Sequence, residues 1–339
     1  TAMATIKMLA DKCGLSISAV SKALNGRPGI GAQKAEMVRR VAREIGYYPN
    51  AAARTLKSHR SRNLGILYRN NMAHEFFSMV LEGIHSQAEQ LGYDITFLNN
   101  SLHSSGMSYC DHARQRQCDG VIIVEGSFEQ EAVKQLLASE IPVVTIDHIA
   151  QGHSAILGDN VRAMRDIISY LHAMGHSRVA FIHGEPGGVT DVRLEGFRQG
   201  CLECGLTVPE EYIRSANYHN ADSAAQATSE LLALPRRPTC ILYPDDISYL
   251  GGIARIEQQG LSIPRDISCF GFDGILIAGA LRPRLTTYKQ DSDGMGRRAA
   301  LEIIKAIEEG DSYTPRIMTV GGSIQFGDTV RDINQAAQH

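Results

Sequence analysis

Three features predict an all-α helix-turn-helix head followed by an α/β core of two doubly wound lobes. Residues 1–62 carry twelve Lys or Arg against three acids, a net +9, so the remaining 277 residues carry −12. Within that basic head, apolar residues recur at helical spacing around a glycine turn. From Leu64 onward, short apolar runs alternate with amphipathic stretches, and the alternation runs through twice.

The head reads as three short helices. The first spans about Ile6 to Cys13 with Thr5 as N-cap. Gly14 makes the turn, and Ser16 caps a second helix whose stripe is Val20, Ala23 and Leu24. Asn25-Gly26 stops it. A third, about Ala32 to Ile45, turns Val38, Val41, Ala42 and Ile45 inward. Serine and β-branched residues are middling helix formers. The second helix, LSISAVSKALNG, is therefore read as a surface for contact, and its basic setting names a polyanion as partner. The plain alternative is a solvated surface helix. Residues 47–63, YYPNAAARTLKSHRSRN, permit a helix after Pro49-Asn50, yet only Leu56 is apolar enough to hold it to anything. Such a segment is marginal alone and is expected to order on a partner.

The core then reads strand by strand. LGILY (64–68), YDITFLN (93–99), GVIIVEG (120–126) and PVVTID (142–147) are separated by helices at 76–91, near 108–117 and at 129–139. A connector at 159–175 leads to RVAFIHG (178–184), IRSANY (213–218), TCILYPDD (239–246) and ISCFGFDG (267–274), with helices at 191–205, 221–234 and 247–260. A helix at 293–309 and strands at 285–289, 316–320 and 323–326 return to the lobes. Strand–helix alternation implies parallel sheets with right-handed crossovers.

Composition bounds the function. The chain is 43% hydrophobic and 21% charged, which is globular rather than disordered. No run of 18 apolar residues exists, so no membrane span is expected. Charges within the first dozen residues argue against a secretory signal there, and seven scattered cysteines suit a reducing cytoplasm. Cys201-x-x-Cys204 has no second pair in register, and the twelve histidines show no H-E-x-x-H spacing, so no metal site is expected. The stretch GEPGGVTD is neither G-x-G-x-x-G nor a P-loop, and no G-x-S-x-G elbow occurs. Neither a cofactor nor catalysis is expected.

The stretches TIKMLADKCGLSISAVSKALNG, GYYPNAAARTLKS, EFF, VTID, RLEGFRQGC, PDD, IPRDISCFGFD and RPRLTTYKQ stand in this order from about residue 4 to 328. In this the sequence resembles the lactose-repressor (LacI/GalR) family of bacterial transcriptional regulators. The resemblance implies a DNA-binding domain at 1–47, a hinge helix and linker at 48–62, and an effector-binding and dimerisation core at 63–339. It gives that core a periplasmic-binding-protein type I-like fold, with one lobe at about 63–160 and 290–318 and the other at about 161–289 and 319–330. It implies a homodimer on pseudo-palindromic operator DNA, acting as a repressor and controlled by a small molecule, usually a sugar.

By position in the family, Ile17, Ser18 and Lys22 are the base readers. Lysine lacks the bidentate fork of the arginine often found there. Ser16, Ser21 and Asn25 are assigned to phosphates, with Thr5, Tyr47 and Asn50 also on the DNA face. Ala53 and Leu56 are assigned to the minor groove, Leu56 as a wedge in the central base step.

Ligands of doubly wound lobes bind beyond the carboxyl ends of strands. Asp147, Arg193, Asp245 and Asp273 sit there, with Phe76 or Phe77 as an apolar face and Gln290 and Ser292 as weaker candidates. Family positions match Phe76, Asp147, Arg193, Asp245 and Asp273 as effector binders. Two departures are His74-Glu75 in place of Asn-Pro, and Asp245-Asp246 in place of Asn-Asp. Both are expected to make the pocket more acidic, which favours a neutral sugar over a phosphorylated or carboxylated effector. A strand-end cap or an ion pair is the competing reading for each acid. The competing functions are a stand-alone sugar-binding module, a corepressor-dependent regulator, and an enzyme of nucleotide-sugar type.

Overall fold

The computed structural model describes residues 4–26, 28–47, 60–68, 74–98 and 107–334. The chain divides at Arg62/Asn63 into two compact units. The expectations for Asn50, Ala53 and Leu56 fall outside the described residues.

The first unit holds three helices, α1 (Ile6–Cys13), α2 (Ile17–Leu24) and α3 (Ala32–Glu44). Thr5 Oγ1 accepts from Met8 N and starts α1, while Ser16 Oγ accepts from Ala19 N and starts α2. Gly14, at φ 62°, takes the left-handed conformation that ends α1. Leu9, Ala10, Val20, Ala23, Ala35, Val38 and Ala42 are buried together. Leu24, Val41 and Ile45, expected fully inside, are only partly buried at the rim, and Ala35 takes a place the apolar pattern did not give it.

The second unit is built on two six-stranded sheets. The first contains β1 (Asn63–Tyr68), β2 (Asp94–Leu98), β3 (Gly120–Glu125), β4 (Val143–Ile146), β5 (Ser154–Gly158) and β11 (Ile317–Val320). Their order is β2-β1-β3-β4-β5-β11, all parallel. The second contains β6 (Val179–His183), β7 (Ile213–Ser215), β8 (Cys240–Leu242), β9 (Ser268–Asp273), β10 (Thr286–Lys289) and β12 (Ser323–Gln325). Its order is β7-β6-β8-β9-β10-β12, with only the β10–β12 pair antiparallel.

Helices α4 (Glu75–Gln90), α5 (Tyr109–Gln115) and α6 (Glu131–Leu137) cover the first sheet. Helices α7 (Asn160–Ala173), α8 (Gly188–Glu203), α9 (Ala221–Leu232) and α10 (Asp246–Gln258) cover the second. The short α11 (Leu276–Ala280) follows β9, and α12 (Ser292–Glu309) packs on the first sheet. Burial on both faces is why the strands read as nearly continuous apolar runs.

Several boundaries differ from expectation. The stretch at 159–175 is a full helix of the second lobe rather than a connector. IRSANY supplies only three strand residues. The strand at 154–158 and helix α11 were not foreseen, because each is too short to establish a period. The last strand of the first sheet runs to Val320, past the expected lobe boundary at 318. The chain therefore passes between the lobes after β5, after β10 and after β11.

Helices α4 and α12 approach through glycines. A Cβ on Gly296 would stand 2.0 Å from Val80 O and 2.8 Å from Ile84 N, and one on Gly83 would stand 2.2 Å from Asp293 O. Gly251 on α10 meets Ala221 O in the same way. Farther along α12, Glu302 is only 4% exposed. It accepts from Arg316 Nη2 at 2.6 Å and from Tyr313 Oη at 2.5 Å. Burial opposes its ionisation, but Arg316 and Tyr313 hold its carboxyl below the ordinary carboxylate range.

Gly296→Ala is expected to force α4 and α12 apart and cost about 1–3 kcal/mol, read from urea unfolding. Glu302→Gln tests the buried ion pair. A depressed carboxyl stabilises the fold above the ordinary value of about 4.3 and loses that contribution as pH falls through its lower native value. The variant should therefore melt below the parent at pH 7, and the gap should close as pH falls below about 4.

Candidate functional sites: a basic helical face and an interlobe cavity

In the first unit, Ser16, Ile17, Ser18 and Lys22 are exposed along the start and outer face of α2, and Ser21 is half-buried. Ile17 is 48% exposed, a large apolar side chain left outside although Val20 and Ala23 of the same helix are fully buried. Asn25 is exposed, but its Nδ2 donates to Ser21 O at 2.7 Å, so part of its amide is spent on ending the helix. Thr5 is exposed at the start of α1. Tyr47 is half-buried against the head core, which pushes its phenol pKa up.

In the second unit, a cavity of about 540 Å³ lies between the lobes. Its lining comes from residues at or beyond the carboxyl ends of β1, β3, β4, β6, β7, β9 and β10, so every contributing strand points that end at one space. Phe76, Asp147, Arg193, Asp273 and Gln290 are among the lining residues.

Arg193 is the central group and is 5% exposed. Its Nε donates to Asn160 Oδ1 at 2.8 Å and its Nη1 to Pro244 O at 2.9 Å. The guanidinium stacks 3.6 Å from the Phe272 ring centroid. Gly158 N donates to Asp147 Oδ1 at 2.9 Å, and Gln290 Nε2 donates to Asp273 Oδ1 at 2.8 Å. Burial raises the Asp147 pKa, against the Gly158 amide and Arg193. Burial pushes Asp273 up to about 6, again against Arg193. Asp147 (φ 52°), His219 (φ 57°) and Asp273 (φ 100°) hold left-handed backbone, which costs energy in non-glycine residues and concentrates at functional positions.

The structure departs from expectation at Asp245. Its carboxylate accepts from Ser248 N and Ser248 Oγ, both at 2.8 Å, and from His219 N at 2.9 Å. It caps α10 and supports His219 without lining the cavity. Asp246 likewise spends its oxygens on Thr287 Oγ1 and Ile275 N. Glu75 accepts from Leu276 N at 2.7 Å, a bond between the lobes, and does not line the cavity either. The residues expected to acidify the pocket are thus structural. Glu125, the last residue of β3, and Glu185, just beyond β6, line the cavity in their stead, at strand ends where the rule that found Asp147 would have found them.

The reading from sequence also missed an aromatic set. Phe128 and His148 stack with centroids 3.4 Å apart and planes at 9°. The Tyr218 hydroxyl meets Thr190 Oγ1 at 2.9 Å. His219 packs against His74, with centroids 3.4 Å apart. Burial and the neighbouring His219 push His74 down to about 4. Burial alone would lower His219, but Asp245 overrides it and the net shift is upward.

Comparison with known proteins gives a consistent result. Residues 168–330 match the family model described as a periplasmic binding protein-like domain. The HTH-type transcriptional repressor PurR of Vibrio cholerae serotype O1 (strain M66-2) is 29% identical over 339 residues, covering 98% of this chain and 100% of the relative. The lac repressor dimer bound to operator and the anti-inducer ONPF superposes with a TM-score of 0.81 at 22% identity, over 97% of this chain and 100% of that one. The CelR–cellobiose complex gives 0.71 at 21% identity, over 96% and 99%. With its helical head, its paired parallel sheets and a match that runs from end to end, the chain shares the fold of these repressors and is similar over its whole length to the PurR transcriptional repressor.

Proposed function

We propose that this chain represses transcription as a homodimer on a pseudo-palindromic operator, and that a neutral sugar in the interlobe cavity controls its grip. The observation that carries the reading is one chain holding both a +9 head with an exposed Ser-Ile-Ser-Lys face and a two-lobed cavity. A helix N-terminus ringed by small hydroxyls suits close approach to phosphate, and Ile17 and Lys22 suit base edges. The domain plan is a head at 1–47, a hinge at 48–62 carrying Asn50, Ala53 and Leu56, and a core from 63 onward.

For the effector, Asp147, Asp273, Arg193 and Gln290 present acceptors and donors for vicinal hydroxyls, and Phe76 offers a ring face to sugar C–H groups. Glu125 and Glu185 oppose an anionic ligand. A related regulator, CelR, is described as a cellobiose complex. The chain acts by binding rather than catalysis, and in the cytoplasm, where its operator is. Among the described residues, no helix is long and apolar enough to cross a membrane.

The test is binding to a short palindromic duplex with a central CG step against a scrambled duplex, across a salt series and a panel of neutral sugars. A preference that survives moderate salt and shifts with one sugar supports the reading. Equal, steeply salt-dependent binding to both duplexes would reduce the head to phosphate contact. No binding at low salt would leave a stand-alone sugar-binding module.

Lys22→Ala is expected to lower operator affinity by about 1–3 kcal/mol and to narrow the preference over scrambled DNA. Leu56→Ala should lose specific binding while sugar binding persists; unchanged operator affinity would refute the wedge. Arg193→Lys should weaken the sugar about tenfold or more, since a charge-assisted hydrogen bond is worth about 1.5–3 kcal/mol. Its affinity for operator without sugar should stay that of the parent, as anisotropy titrations would report.

A further inference from the structure

We propose that His74, His219 and Asp273 form a binding site for a divalent transition-metal ion of the zinc, cobalt or nickel class, joining the two lobes beside the cavity. The three residues each offer one ligand atom, and these atoms lie within 4.8 Å of one another. His74 precedes α4 in the first lobe, whereas in the second His219 follows β7 and Asp273 is the last residue of β9. The site exists only while the lobes are closed.

Four observations carry this. First, both ring nitrogens of His74 are buried with no hydrogen-bond partner among the described residues. A buried polar nitrogen left unsatisfied costs about 1–3 kcal/mol, so such a group calls for a ligand. Second, His219 is prepared as a ligand should be. Its Nδ1 lies 3.5 Å from Asp245 Oδ1 without hydrogen-bond geometry and is buried with no partner among the described residues, while its backbone N donates to the same carboxylate. That backbone bond holds His219 in place, and a carboxylate this near the ring favours a cation bound to it. That explains why Asp245 sits behind the cavity and not in it.

Third, Asp273 Oδ1 accepts from Gln290 Nε2, and its second oxygen accepts no hydrogen bond among the described residues. Fourth, two nitrogens and one carboxylate oxygen are a donor set for zinc-class ions, with a fourth position left open toward the cavity. Asp245 and Asp273 outnumber Arg193 around the site, so the local charge admits a cation. Tetrahedral bonds of about 2.0–2.2 Å put ligand atoms about 3.3–3.6 Å apart, so donors as much as 4.8 Å apart must draw in by roughly 1 Å. Apart from the metal, the tilted His74–His219 pair would be only a latch between the lobes.

The experiment uses the untagged full chain, stripped with a chelator and titrated with zinc chloride by calorimetry. One ion per chain is expected. His74→Ala and His219→Ala should each weaken it about tenfold or more, while Cys204→Ser binds as the parent does. Zinc should raise the melting temperature of the parent and not of the two histidine variants. Cobalt(II) bound to the parent should show ligand-field bands without thiolate charge transfer. That spectrum decides the matter alone should either variant fail to fold. Absence of saturable zinc binding, equal binding by both histidine variants, or thiolate bands from cobalt would each overturn the site.

Discussion

The buried guanidinium of Arg193 is the constraint on which the cavity depends. A charge this deep is tolerable only when it is paired and hydrogen-bonded. The structure supplies Asn160 Oδ1 and Pro244 O as acceptors, the Phe272 face below, and the carboxylates of Asp147 and Asp273 as countercharge. Those partners come from both lobes. Removing either carboxylate unbalances the buried charge, and removing either acceptor leaves a buried N–H unpaired, so each loss weakens the whole arrangement.

Two of the polar anchors stand where the chain passes between lobes. Asn160, bonded to Arg193, opens α7 just after the first crossing. Gln290, bonded to Asp273, lies on the second, just past β10. Any change in the angle between lobes acts on these bonds first. A ligand that bridges Asp147 and Asp273 has different contacts in open and closed arrangements, and that difference is the only free energy by which it can shift them. The interior of each lobe resists deformation by comparison. Where α4 and α12 touch through Gly83 and Gly296, there is no room to slide without collision. Rigid lobes on three connections make the interlobe angle the soft coordinate.

Much of this was legible in the sequence for a specific reason. Strands buried on both faces are continuous apolar runs, and crossover helices carry a strong 3.6-residue period, so the two-lobed plan shows through. The rule that ligands gather beyond strand ends found Asp147, Arg193 and Asp273. It gave Asp245 a place in the cavity because it cannot separate a helix-capping carboxylate from a ligand-facing one. That distinction depends on whether Ser248 and His219 reach it first. His74 and His219 were invisible because their meaning lies in the apposition of two lobes, which no local pattern encodes. The left-handed backbone at Asp147, His219 and Asp273 is equally silent, since no glycine marks it.

The serine-rich start of α2 follows from the same economy of groups. Ser16 Oγ uses a lone pair to accept from Ala19 N and begin the helix, which leaves its hydroxyl hydrogen free to donate outward. One residue thus fixes the helix end and presents a donor at its positive pole. Alanine would be the better helix former, yet it would supply neither. The burial of Val20 and Ala23 holds the helix to the head, so its outer face is free to carry Ile17, Ser18 and Lys22, which contribute little to the stability of the head itself. Residues that a fold does not need, placed on a face it leaves exposed, are what a recognition surface consists of in physical terms.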